Sequence, residues 1–152
     1  MRPVFEAARS ASRKIVFAEG EDERVLRASF SMIEETGDSP ILIGRPDVVM
    51  SRIEKYGLPL KINKDFELVN PESDPRFREY WETYHKIMER RGVTPALAKA
   101  IMRTNSTAIA AIMVFRSEAD SMICGTFGQY LWHLKYIKAV SYTHLTLPTS
   151  RS

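Results

Sequence analysis

Four acids stand in five positions, Glu19, Glu21, Asp22 and Glu23, directly behind the apolar run Ile15-Val16-Phe17. Carboxylates this close are either a catalytic cluster or the charged opening of a helix, where unpaired N–H groups and the macrodipole favour negative charge. Arg24 follows them, Glu23 can pair with Arg27 at i, i+4, and Gly20 lets the backbone turn sharply out of the strand. In open α/β sheets the loops behind strand C-termini are also where ligands bind, so Glu19, Asp22 and Arg24 are candidates for a cleft as well as for capping. Gly125-Thr126-Phe127-Gly128 is a second candidate, a loop that could accept a phosphate at a helix start, although a single G-x-x-G is a weak signal. Asp120 precedes a short apolar run and can serve a cleft or a turn.

Other reactive types point to little chemistry. Cys124 is the only cysteine, so no intramolecular disulfide and no multi-cysteine metal site can form. It reads as a small apolar residue at a strand end, since a nucleophile needs a base nearby and none is identifiable. The three histidines lack ligand spacing; His85 and His133 are expected in packing or surface roles, and no metal site is expected.

The elements that must hold these residues alternate. Lys14–Phe17 is a short strand, followed by an amphipathic helix over about 22–36 with Val25, Leu26, Phe30 and Ile33 on one side and Gly37 as its stop. Pro40–Gly44 is a second strand. Pro46 opens a helix carrying Val49, Ile53 and Tyr56, and Phe66–Val69 is a third strand. Asp74 is placed as N-cap and Pro75 as first residue of a helix with the stripe Phe77, Tyr80, Trp81, Tyr84 and Met88, ended by Gly92. Thr94-Pro95 starts a helix to about Met102, and Asn105 or Ser106 caps one with Ile109, Ile112 and Met113 inward. Ser121–Cys124 is a fourth strand, and Tyr130, Leu134 and Ile137 stripe a last helix. Short apolar strands alternating with helices imply parallel pairing through right-handed crossovers, an α/β sheet with helices on both faces.

At 152 residues and 44% apolar content the chain can build one core. Its net charge of +3 comes from 22 basic residues interleaved with 19 acidic ones, not gathered on a face, which argues against nucleic acid. No apolar run approaches the roughly 20 residues that cross a bilayer. No secretory h-region opens the chain, and a cytoplasmic location is expected.

Four landmarks stand in register: "IVFAEGEDERVLRA", "PILIGRPDVV", "RRGVTPALAKAI" and "SEADSMICGT". Together they resemble the phosphate acetyl/butyryltransferase family over roughly residues 3–139. "FELVNPESDPRFREYWETYHKIMERRGVTP" and "ICGTFGQYLWHLKYI" are most similar to the version fused to the C-terminal end of NADP-dependent malic enzymes, and "MRPVFEAA" resembles the entry into that appended domain. The resemblance implies the first subdomain of a two-subdomain fold related to isocitrate and isopropylmalate dehydrogenases, with acetyl-CoA in the cleft. The motifs that carry catalysis in the family lie in the second subdomain, so no catalytic residue is expected here.

The resemblance also implies two anion-binding arginines. Met88 holds the place of one and Lys135 that of the other; Arg90 lies a neighbouring turn from the first. A thioether cannot bind phosphate, and an ammonium is a point charge in place of a bidentate fork. The expected acyl-CoA and phosphate contacts are therefore Lys135, Arg90, Gly125 and Thr126, in a regulatory domain that recognises acetyl-CoA without processing acetyl phosphate. NADP and a divalent metal belong to a malic-enzyme domain upstream, and a homo-oligomer is expected. The alternatives are an authentic phosphate acetyltransferase and a non-catalytic oligomerisation module. Malic-enzyme relatives tend to have glycine at the Ser117 position, so Ser117 is strained if that position needs positive φ. Residues 140–152, "VSYTHLTLPTSRS", leave the family pattern, show no helical stripe and are read as a non-native tail.

Overall fold

A computed structural model describes residues 12–126, 128 and 130–146. The "MRPVFEAA" stretch, Phe127 and the tail from 147 onward lie outside the described residues. Four strands, β1 (Ile15–Phe17), β2 (Ile41–Ile43), β3 (Glu67–Val69) and β4 (Ser121–Ile123), form one parallel sheet in the order β3-β2-β1-β4. Val16 sits opposite Ile41 on one side and Met122 on the other, and Leu42 opposite Leu68. The expected parallel α/β sheet is present.

Strand alternation sends side chains to two separate cores. Val16, Ala18, Ile41, Ile43 and Val69 face one side. There they meet α3 (Phe77–Met88), α4 (Pro95–Thr104), α5 (Ser106–Phe115) and α6 (Tyr130–Thr146). Phe17 and Leu42 face α1 (Glu23–Thr36) and α2 (Pro46–Lys55) on the other. Every residue of α5 from Thr107 to Met113 is buried, which suits a helix with apolar residues all round it. Among the described residues no helix is long and apolar enough to cross a membrane.

Chain order fixes where a ligand can enter. The chain steps outward through β1, β2 and β3, then returns to lay β4 along the other side of β1. Such a reversal opens a crevice beyond the C-terminal ends of the two strands that part, here β1 and β4.

Several element boundaries differ from the sequence expectation. Only Glu23 of the acids lies within α1; Asp22 is its N-cap, with extended backbone and a carboxylate that accepts from the Arg24 N–H at 2.8 Å. The helix placed after Asp74 begins at Phe77 instead. Asp74 closes a preceding turn, its carboxylate accepting from Arg76 N and its carbonyl from Phe77 N. The Arg76 guanidinium then reaches Asp74, Glu67 and Glu118, tying β3 and α3 to the loop before β4. Tyr56 caps α2 rather than sitting within it. No stripe is readable beyond Ala139, yet α6 runs on to Thr146, and Val140 is buried against the helical core.

Ser117 has φ of 62°, the left-handed region expected from the glycine of its relatives. An L-residue pays about 1–2 kcal/mol there, and glycine gives part of that back through its freer unfolded chain. Ser117→Gly is predicted to stabilise the protein by about 1 kcal/mol, read as a higher denaturant midpoint at unchanged m-value. An unchanged or lower midpoint would show that the turn carries no strain.

Candidate functional site

Glu19 leaves the end of β1 and is only 4% exposed. One carboxylate oxygen, Oε1, accepts the Gly125 N–H at 3.0 Å. The other, Oε2, is buried without a hydrogen-bond partner. A buried charge costs several kcal/mol unless it is well partnered, so this carboxylate marks a place where the fold gives up stability. The contact joins the loops behind β1 and β4 across the crevice. Ala18 N, which donates to Ile123 O at 2.9 Å, extends the pairing up to it.

His133 of α6 is buried beside them. Its Nδ1 lies 2.8 Å from Thr107 Oγ1 and 3.9 Å from Glu19 Oε1. The ring packs on Gly128, where a Cβ would sit 3.1 Å from Nε2 while φ is 85°. Cys124, Gly125, Gly128, His133, Leu134 and Ile137 line a cavity of about 170 Å³. Burial pushes the Cys124 thiol up, the negative Glu19 adds to this, and a hydrogen bond with Thr107 opposes both. A thiol held protonated is a poor nucleophile, so the cysteine lines the site without driving chemistry.

Arg24 closes the outer side. Its guanidinium grips Asp22 through two contacts, at 3.1 and 3.0 Å, and donates to the Thr126 carbonyl. The Thr126 hydroxyl is buried and unpartnered. The two loops thus enclose two buried polar atoms without a hydrogen-bond partner, Glu19 Oε2 and Thr126 Oγ1.

On the other side of β1, Gly20 is required for a reason different from a sharp turn. Its N–H donates to Ile43 O at 2.9 Å, and a Cβ there would stand 2.7 Å from that oxygen and 2.8 Å from the Leu42 Cβ. Only a bare backbone lets the ends of β1 and β2 close so tightly. Glu21 then reaches over to Arg45, accepting from its backbone N–H and from its guanidinium at 2.9 Å each, while Arg52 donates to the Glu21 carbonyl. The Arg45 hydrogen bond holds the Glu21 carboxyl below its ordinary value of 4.5, as the Arg24 hydrogen bond does for Asp22.

Glu19, Asp22, Arg24, Gly125 and Thr126 are therefore brought together at the crevice. Asp120 is at the other end of β1 and β4, before their first residues, where its carboxylate accepts the Lys14 N–H at 2.8 Å. Arg90 lies exposed in the 3₁₀ turn Glu89–Arg91. Lys135 is exposed on α6 and lines a shallow depression with Arg91, Lys138 and Ala139. Met88 packs against the helical core. Sequence reasoning missed His133 and Thr107, which meet only through the packing of α5 on α6, and the Arg45–Glu21 pair. No group of three or more His, Cys, Asp or Glu side chains among the described residues can hold a metal ion.

A family model described as phosphate acetyl/butaryl transferase matches residues 1–145. The NADP-dependent malic enzyme of Salmonella typhimurium is 53% identical over 140 residues, covering 92% of this chain and 18% of that protein. The NAD-dependent malic enzyme of Rhizobium meliloti is 49% identical over 141 residues, with the same coverages. A phosphate acetyltransferase of Synechocystis is 33% identical over 123 residues, 81% of this chain and 17% of that protein. Among solved structures, a phosphotransacetylase from Streptococcus pyogenes superposes with a TM-score of 0.77 at 24% identity, covering 92% of this chain and 42% of that one. That likeness speaks for the fold alone. The chain spans about a fifth of the length of the curated malic enzymes it matches.

Two outcomes follow from the site's electrostatics. Replacing Glu19 by Gln removes the charge that raises the Cys124 thiol, so the midpoint of the alkylation rate against pH should move down; an unmoved midpoint would uncouple the two side chains. Glu21 titrates lower in the folded than in the unfolded chain, so its stabilisation is complete above about 4.5 and disappears as pH falls through its depressed folded value. Glu21→Gln should therefore flatten the loss of stability below that pH, measured by denaturant titration at several pH values; an equally steep loss would contradict the Arg45 clamp.

Proposed function

The chain belongs to the phosphate acetyl/butaryl transferase family, and from that premise we propose that it is the leading part of the transferase-like domain carried at the C-terminal end of a malic enzyme, where it recognises acetyl-CoA as a regulator. The identities favour this form of the family: about half of the aligned residues match the malic enzymes, against a third for a stand-alone phosphate acetyltransferase. In this reading the described sheet is the first of two subdomains of an isocitrate dehydrogenase-like fold. The acyl-CoA lies against the crevice formed by Glu19, Gly125 and Thr126.

The observation that carries the regulatory reading is the state of the two positions expected to hold arginine. Met88 packs, partly buried, against the helical core and has no charge to offer, and Lys135 is an exposed ammonium lining a depression with Arg91 and Lys138. Phosphoryl chemistry relies on fixed, preorganised charge, which bidentate guanidinium forks supply and these side chains do not. The protein as a whole then oxidatively decarboxylates malate, using NADP and a divalent metal held by residues upstream, in the cytoplasm and as a homo-oligomer. A stand-alone phosphate acetyltransferase is the second reading, kept by the Synechocystis relative.

Calorimetry on the full-length protein separates these readings. Acetyl-CoA is expected to bind with a Kd in the micromolar range, about −8 kcal/mol, and to change malate oxidation while no acetyl phosphate forms from acetyl-CoA and phosphate. Robust acetyl phosphate formation would establish the transferase instead. Absence of acetyl-CoA binding would leave only an assembly role for the domain.

A further inference from the structure

The two edges of the sheet are unlike each other. β3, at one edge, carries Glu67, paired with Arg76 at 3.0 Å, and runs into Asn70-Pro71. Charge and proline are the ordinary means of keeping another strand from adding to an edge. β4, at the other edge, offers Ser121-Met122-Ile123-Cys124, with neither. Ser121 N donates to Lys14 O and Ile123 O accepts from Ala18 N, so these two residues turn their backbone groups to β1. Alternation along the strand then turns the N–H and C=O of Met122 outward, to a side where no described strand lies.

One face of β4 also lacks cover. Ile123 is level with Phe17 in the strand register, yet Phe17 is 5% exposed beneath α1 and α2 while Ile123 is 46% exposed. The packing that seals β1 on that face does not extend to β4. An open backbone edge beside an uncovered isoleucine is a surface that an added strand buries, main-chain hydrogen bonds holding it and the side chain fixing its register.

Connection rules indicate which strand that is. β1 leads through α1 to β2 on one side, and β3 leads through α3, α4 and α5, on the opposite face, to β4 on the other side. Reversing both the direction and the face keeps the same hand of crossover, the right-handed one. α6 packs on the face of α3, α4 and α5, where Val140 is buried. A crossover of that hand leaving β4 through α6 steps outward again, onto the open side of β4. The fold has more chain to place there: the Streptococcus pyogenes phosphotransacetylase matches 92% of this chain, which covers only 42% of that structure.

We propose that β4 is an inner strand of the complete domain: a further strand, parallel to it and supplied by the continuation of the protein beyond α6, bonds to the Met122 backbone and covers Ile123. This rests on the reading of the chain as the leading part of a longer transferase-like domain, and adds which edge receives the rest.

Two measurements on the full-length protein test it. Exchange of the Met122 amide is expected to be at least about 100-fold slower than in an unstructured chain, as in a paired strand. p-Benzoylphenylalanine placed at Ile123 and irradiated is expected to join β4 to a peptide from beyond α6 of the same polypeptide. Exchange of Met122 at the unstructured rate in the unaltered protein overturns the proposal, whatever the substituted protein does. A crosslink to a second copy, seen as a band of twice the mass on a denaturing gel, overturns it too, as does one to the part of the protein upstream. So does the absence of any crosslink in protein that melts like the unaltered one. Neither measurement reads acetyl-CoA binding, so failure here leaves the regulatory reading standing, and loss of that binding leaves the edge assignment standing.

Discussion

One carboxylate, almost withdrawn from water, holds the two sides of the crevice together. Glu19 spans from the end of β1 to the amide of Gly125 behind β4, alongside the Ala18–Ile123 backbone bond and the Arg24 contact to the Thr126 carbonyl. Its charge is costly where it sits, and a single amide donor does not satisfy both oxygens. A neutral residue of similar size would serve packing at least as well. The carboxylate stands at the reversal of strand order, where it ties the loop behind β4 to the end of β1. His133, Thr107 and Cys124 surround it with polar groups that the helical face would otherwise exclude.

The tight meeting of β1 and β2 supports that arrangement. Because Gly20 has no side chain, its backbone can bond to the Ile43 carbonyl, and the acids that follow emerge in a fixed order. Glu19 turns inward, Glu21 outward to Arg45, and Asp22 caps α1. What looks in one dimension like a single acid cluster is four carboxylates with four separate tasks, the fourth being Glu23, which pairs with Arg27 along α1. Neither the catalytic-cluster reading nor the capping reading alone describes it; capping accounts for Asp22, and Glu19 holds the Gly125 amide.

The parts legible from sequence were those governed by neighbours in the chain. Thr94-Pro95 and the stop at Gly37 each announce a helix end through local hydrogen bonding, and both stand as read, whereas Asp22 caps the helix it was expected to lie within. Ser117, with its φ of 62°, was legible only through the resemblance, which implies glycine at that position. The parts that were not legible depend on distant partners. Nothing near His133 indicates that α5 will bring Thr107 within hydrogen-bonding distance, and nothing near Gly20 indicates how closely β2 approaches. The start of α3 was misplaced because Asp74 uses its carboxylate in a turn before the helix, a choice stabilised by the Arg76 contacts to Glu67 and Glu118. Helical periodicity also failed at the end of the chain, where α6 continues past Ala139 without a readable stripe.

The central claim is that Glu19 keeps the Gly125–Thr126 loop poised for an acyl-CoA ligand. Amide hydrogen exchange on the full-length protein, followed peptide by peptide with and without acetyl-CoA, addresses it most directly. The account predicts slowed exchange across Cys124–Thr126 and the Glu19–Asp22 turn on addition of ligand, and loss of that protection in Glu19→Ala. Protection confined to other segments, with both loops exchanging as in the free protein, would contradict it.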